Sequence, residues 1–364
     1  MKVVFAFDSF KGCMSAQEAC AAAAQAAREA CPAAQIEQIP LSDGGEGLVF
    51  CVSRLLPVQL VALQVHGPLM QPVQATYALS PDGQTAYMEM AAAAGLTLVP
   101  QAQRNPMLTT TYGVGEMLLD AAHRGCQHII MGIGGSATCE AGEGMIDCLA
   151  RAGVLSPKGS TPSATDDESS LSIPKITVAC DVTNPLYGPN GAAYVFGPQK
   201  GATPHQVELL DQRLRDFERR TIALGKATPA HASIPGAGAA GGLGYGLMTY
   251  LGATLRSGID IILDLLHFDQ RIAGADFVFT GEGKSDAQTL MGKVPMGVLR
   301  RTPAHLLSGA IEKSQTLLQA GFLTVASINE GDSRPLAQLL QKEVAIENMK
   351  QSILRRLTQS SVHP

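Results

Sequence analysis

The chain has 364 residues, with 27 Lys+Arg against 32 Asp+Glu, a formal charge of −5, 46% hydrophobic residues and only 16% charged ones. This is a soluble globular composition long enough for two self-sufficient domains. A mild, dispersed acidic excess excludes the concentrated basic face that nucleic acid or an anionic membrane requires, whereas a few local cations suffice for a small anionic substrate.

The opening KVVFAF is a short apolar run of the kind buried on both faces of a parallel sheet. Asp8 and Lys11 cut that run before it can act as an export signal, and Glu18, Gln25 and Arg28 polarise the Ala-rich stretch behind it. No segment reaches the roughly 18–20 apolar residues of a membrane span. Eight cysteines without a C-x-x-C pair argue against a zinc site or disulfide framework, and point to the cytoplasm.

A helix is expected from about Ser15 to Ala30, with Ser15 and Glu18 as a capping box, then a strand at Gln35–Pro40 and a helix from Leu48 to Leu56. Residues 58–91 alternate apolar and polar between turn signals, which predicts antiparallel strands. Further expectations are a helix at 111–124, a strand at 128–131, a helix from Glu143, a polar loop over 156–174 and the strand KITVAC at 175–180. An amphipathic helix at 204–224 precedes the glycine-dense 235–246 and another helix, and a strand begins at 276. Two α/β ends around a different middle suggest an inserted domain, with residues 1–60 plus 265–364 forming one domain and 61–264 the other.

Four loops combine glycine with acids or hydroxyls at strand ends, where open α/β sheets place ligands. GIGGSAT (132–138) could cradle an anion with its backbone amides and the hydroxyls of Ser136 and Thr138, or could simply be a capped tight turn. In DGGEG (43–47), Asp43 and Glu46 could hold Mg²⁺ or accept a proton, or cap the next helix. GAGAAGG (236–242) contains the G-x-G-x-x-G spacing of a dinucleotide site, but HASIP before it makes a poor strand and Pro235 interrupts the entry, so close helix packing is the favoured reading. TGEGKSD (280–286) has Val278 where a P-loop needs its first glycine, which leaves Glu282 and Asp286 as candidate acids and Lys284 and Lys293 as candidate phosphate cations. Taken from its sequence alone, Lys200 reads as a solvated surface lysine and Asp181 as a turn cap.

Nine segments in order, AFDSFKG, PLSDGGEG, GIGGSAT, ACDVTNPLYGPNGA, FGPQKGA, GAGAAGGLG, SGIDI, TGEGKSD and GKVPMGV, resemble the signature segments of the class I glycerate kinases, over residues 6–298. The resemblance implies a two-domain α/β fold, a discontinuous Rossmann-like parallel-sheet domain with an inserted second α/β domain and the active site in the interdomain cleft. It implies transfer of the ATP γ-phosphoryl group to D-glycerate, most readily giving the 2-phosphate, with Mg²⁺ required. Small molecules would then be the partners, with neither nucleic acid nor membrane, and a homodimer is the candidate assembly.

Under the resemblance, Asp43, Asp181, Lys11 and Lys293 become the catalytic candidates. Asp8, Ser9, Gly44, Gly45, Gly134, Gly135, Ser136, Thr138, Lys200, Gly238, Gly241, Gly281, Glu282 and Gly283 become candidates for binding substrate or nucleotide, and Glu46 and Asp286 for the metal. Three departures stand out. Cys139-Glu140-Ala141 replaces the family's usual Asn-Asp-Gly, Lys284-Ser285 replaces Arg and an aliphatic residue, and AHLLSGAI after Arg301 leaves a core strand in doubt. They keep open a kinase for another small hydroxy acid and a member that binds without catalysis. A nicotinamide dehydrogenase built on Gly236 to Gly241 is the most distant alternative.

Overall fold

In the computed structural model, residues 1–10, 12–41, 47–155 and 171–360 are described. Lys11, Asp43, Gly44, Gly45 and Glu46 lie outside them, as does most of the polar loop expected at 156–174. The chain divides into two compact units, Met1–Asp43 with Ile259–Pro364, and Gly44–Gly258. These cuts fall at 43/44 and 258/259, where the sequence reading draws them at 60/61 and 264/265.

The first unit is built on a five-stranded sheet, in the order Thr324–Ser327, His305–Ser308, Phe277–Gly281, Lys2–Phe7, Gln35–Gln38, with every pair parallel. Numbered along the chain within this unit, the order is that of a doubly wound fold, and its direction reverses between Lys2–Phe7 and Phe277–Gly281. Val3, Phe5 and Phe7 pack with helices Ala16–Ala30 and Lys342–Ser360, while the alternate residues Val4 and Ala6, which point to the other face, are equally buried. That two-faced burial is why the strand reads as an unbroken apolar run.

The Ser15 capping box forms as expected, its hydroxyl accepting from the Glu18 amide at 3.3 Å while the Glu18 carboxylate accepts from the Ser15 amide at 2.9 Å. The strand in doubt after Arg301 is present. His305–Ser308 sits between two parallel neighbours with Leu306 and Leu307 fully buried, so the shortened stretch still completes the sheet.

The second unit carries a six-stranded sheet in chain order, Gln59–His66, Pro72–Leu79, Thr85–Glu89, His128–Gly132, Lys175–Ala179, Thr254–Arg256. The first three pair antiparallel, as the alternation predicts. Thr85–Glu89 then pairs parallel with His128–Gly132, and the remaining pairs are parallel as well. Helices Tyr112–His123, Glu143–Arg151 and Pro204–Ala223 contribute to its core. HASIP contributes to a 3₁₀ turn, Pro229–Ser233, rather than a strand. Among the described residues no helix is long and apolar enough to cross a membrane.

Candidate active site

Register in the second unit sets several loops at one edge. Glu89 pairs with Gly132, Gly132 with Ala179 and Ala179 with Arg256, so the parallel strands end level. The chain leaves that carboxyl edge through Met90, Ile133, Cys180 and Ser257, which puts GIGGSAT, Asp181 and Ser257 at the edge where open α/β sheets generally place ligands.

The glycine loop is tied down from three sides. Gly135 is left-handed (φ 68°), and its carbonyl accepts from Leu96 N–H at 2.8 Å. Thr109 Oγ1 donates to the Ala137 carbonyl at 2.9 Å. Lys200 Nζ donates to Ser136 Oγ at 2.6 Å and to the Thr138 carbonyl at 2.7 Å. Among the described residues, no protein acceptor meets the backbone amides of Gly134, Gly135, Ser136 or Thr138. Thr138 Oγ1 is likewise buried without a hydrogen-bond partner. Successive amides around a left-handed glycine form an anion-binding concavity.

Lys200, a surface lysine on its sequence alone, is 2% exposed. Burial lowers its ammonium from the usual 10.5 to about 8, and among the described residues its hydrogen-bond acceptors are neutral oxygens.

Behind this loop, the glycines of 236–242 serve close packing. A Cβ on Gly241 (φ +70°) would lie 2.0 Å from the Thr138 carbonyl oxygen, and one on Gly238 would lie 2.1 Å from that of Pro185. The Gly238 amide already donates to the Asn184 carbonyl at 2.9 Å. Ala240, Gly241 and Gly242 are all left-handed, which interrupts the helix and lets Ala141 N–H donate to the Gly241 carbonyl at 3.0 Å. With a 3₁₀ turn where the strand should be, the dinucleotide fingerprint has no structural counterpart.

Asp181 Oδ1 accepts from the Gly258 amide at 2.9 Å and from Ser257 Oγ at 3.2 Å, so SGIDI orients that carboxylate.

In the first unit, the sheet order reverses between the strands that end in Asp8-Ser9 and in Gly281-Glu282-Gly283. The Asp8 amide donates to the Gly281 carbonyl at 2.9 Å, and Asp8 Oδ1 accepts from Ser9 N–H at 2.6 Å. A Cβ on Gly281 would lie 1.8 Å from the Leu307 carbonyl oxygen, so the strand end closes only around glycine. Glu282 is 6% exposed. Its carboxylate accepts from Thr289 Oγ1 at 2.7 Å and from Ser285 Oγ at 3.3 Å, and lies 3.4 Å from Lys293 Nζ. Asp286 Oδ1 accepts from the Gln288 amide at 2.7 Å. Lys284 is instead held in a surface pair with Glu312 at 2.8 Å.

Sequence reading misses Glu89, and notes Glu140 only as a departure from the family pattern without giving it a role. Glu89 accepts from the amide of Gly47, whose left-handed backbone starts helix Leu48–Leu55 without a side-chain cap. An acid closing the strand TAYME was the available signal for Glu89. Among the described residues, no three His, Cys, Asp or Glu gather as a metal cage.

The model of the glycerate kinase family matches residues 3–358. A glycerate kinase of Bacillus subtilis (strain 168) is 42% identical over 350 residues, covering 91% of this chain and 91% of that one. The glycerate 2-kinase of Escherichia coli (strain K12) is 42% identical over 311 residues, 82% of this chain and 81% of that one. A crystal structure described as a glycerate kinase 2 from Salmonella typhimurium LT2 matches with a TM-score of 0.77 at 39% identity, over 100% of this chain and 98% of that one.

Proposed function

The chain belongs to the glycerate kinase family, and from that premise we propose that it transfers the γ-phosphoryl group of ATP to D-glycerate, forming 2-phosphoglycerate and ADP. The family match across residues 3–358 carries this reading. The 2-position takes its support from the E. coli relative, which is described as a glycerate 2-kinase.

In such a transfer the glycerate hydroxyl oxygen forms a bond to the γ-phosphorus, the bond to the bridging oxygen of ADP breaks, and the hydroxyl proton passes to a base. Catalysis is then mainly positioning and charge neutralisation. The amides of Gly134, Gly135 and Ser136 cradle phosphate oxygens, and the orphaned Thr138 hydroxyl donates to the same group. Lys200 supplies a desolvated positive charge beside that cradle. Gly238 and Gly241 act one layer back, by allowing the backbone contacts that shape it.

At the other sheet, Asp8, Ser9, Gly281 and Gly283 line the point where strand order reverses. Glu282 holds Lys293, which with Lys11 meets the substrate carboxylate or a phosphate. Asp181 or Asp43 receives the hydroxyl proton, and the hydrogen bonds from Gly258 and Ser257 to Oδ1 favour Asp181 as an oriented acceptor.

Hard carboxylate oxygens fit Mg²⁺, which takes one or two carboxylates plus nucleotide phosphates, and Glu46 and Asp286 are the residues proposed to hold it. Bound there, the ion would supply positive charge to offset that of the nucleotide phosphates. Coupled ADP release with ATP, Mg²⁺ and D-glycerate tests the activity, and phosphorus NMR of the product tests the position. Folded protein that releases no ADP with D-glycerate refutes the reading, and a 3-phosphate product refutes only the position.

A further inference from the structure

Glu140 is a carboxylate with a second task. It is 5% exposed, follows the glycine loop by two residues, and stands at the junction of two helix N-termini. Its Oε1 accepts from the amide of Thr111, the residue that begins helix Tyr112–His123, at 2.8 Å, and from Thr111 Oγ1 at 2.6 Å. The same oxygen accepts at 3.0 Å from the amide of Gly144, in the first turn of helix Glu143–Arg151. Thr111 Oγ1 in turn accepts from the Met145 amide at 3.0 Å, so carboxylate and hydroxyl lock the two helix starts together. Each of those starts carries orphan amides and a partial positive charge, and neither has a side-chain cap of its own. Arg213 lies 3.8 Å from Oε2 and pairs with Glu143 at 2.7 Å.

Space for the arrangement is made by glycine. A Cβ on Gly144 would lie 3.0 Å from Glu140 Oε1 and 1.9 Å from Thr110 Oγ1. Beyond Glu140 the chain turns through two left-handed residues, Ala141 (φ 55°) and Gly142 (φ 80°). A non-glycine residue in that region costs about 1 kcal/mol or more and persists only when its surroundings over-determine it. Glu140 on one side and the Ala141–Gly241 hydrogen bond on the other supply that constraint.

We propose that Glu140 is a positioning residue for phosphoryl transfer, a buried carboxyl group that caps two helices at once and so fixes the exit of the glycine loop, holding the Gly134–Thr138 amides aimed at phosphate. The proposal rests on the reading of that loop as the phosphate cradle. Lys200 anchors the loop at Ser136 and Thr138, and Glu140 anchors it one turn further on.

Hydrogen exchange and steady-state kinetics of Glu140→Ala test this, at a temperature where circular dichroism shows the variant folded. Expected are faster exchange of the Gly134–Thr138 amides in the nucleotide-free protein, a KM for ATP raised at least about tenfold and a lowered kcat. A lower melting temperature with unchanged loop exchange, KM and kcat would overturn the proposal, leaving Glu140 a structural cap. Should Glu140→Ala not fold, Thr111→Val decides, because it removes one donor to the same oxygen; the same changes at reduced size are expected, and wild-type exchange and KM overturn the idea. Ser136→Ala and Lys200→Met test the cradle itself. If they leave ATP affinity intact the underlying reading fails, whereas if they weaken it and Glu140→Ala does not, only the positioning role fails.

Discussion

The Lys200 ammonium donates to Ser136 Oγ at 2.6 Å with both residues buried, which joins a desolvated cation to the middle of a glycine loop. A buried charge resting on neutral oxygens costs stability, and such a group persists where function uses it. Lys200→Met is therefore expected to lower kcat/KM by about 10²–10³, the typical effect of removing one transition-state donor, while the melting temperature changes little because relief of the buried charge offsets the donor lost by Ser136 Oγ and the Thr138 carbonyl. Parallel thermal melts and kinetics check both halves of that statement.

Protonation of Lys200 supplies a pH signature. Its folded value, about 8, lies below the unfolded one, so between about 8 and 10.5 the unfolded chain binds more protons and this lysine's contribution to stability rises with pH. Below about pH 8 both states are charged and the burial penalty is fully present. Activity should move the opposite way, with kcat/KM falling through an apparent pKa near 8 as the cation is lost. Urea unfolding midpoints and rate profiles across this range, compared with Lys200→Met, separate this lysine from other titrating groups.

Gly241→Ala should destabilise by more than about 3 kcal/mol and abolish activity, because the new methyl would lie 2.0 Å from the Thr138 carbonyl oxygen that Lys200 uses. Gly125→Ala is the matched control. It shares a left-handed backbone (φ +81°) but meets nothing within 4 Å, so it should cost only about 1 kcal/mol and leave kinetics unchanged. Chemical denaturation of the pair distinguishes steric exclusion from backbone strain.

Asp181→Asn and Asp43→Asn are expected to divide the proton-transfer role. The residue that acts as base should lose at least about 10² in kcat with little change in stability, and wild-type kcat in both variants would refute the assignment.

Thr289 is fully buried and donates to Glu282 Oε1 at 2.7 Å, while its hydroxyl accepts from the Asp286 amide at 3.0 Å. Thr289→Val leaves a buried carboxylate and an amide each one partner short. A loss of about 1–3 kcal/mol in unfolding free energy is expected by denaturant titration.

Local chemistry explains what was legible in advance. Ser15 and Glu18 cap the first long helix within four residues of sequence, and KVVFAF is apolar on both faces because its strand is covered on both. The short run AHLLSGAI looked too small for a core strand, yet Leu306 and Leu307 are completely buried, because neighbours almost twenty residues away or more supply the pairing. Lys200 reads as a surface residue for a similar reason. Its burial depends on Ser136 and Thr138, more than sixty positions earlier in the chain.

By itself the sequence determined the α/β class, most of the element order, and the family, because hydrophobic period, caps and ordered motifs are all encoded over short stretches. Tertiary structure decided which of those motifs share an edge. Register alone brings Gly132, Ala179 and Arg256 level, and only folding turns the glycines of 236–242 into a packing surface for the loop at 138–142 and makes Glu140 the shared cap of two helices. Long-range hydrogen bonds and close approaches of this kind depend on distances between distant residues, and periodicity within a short window carries no information about them.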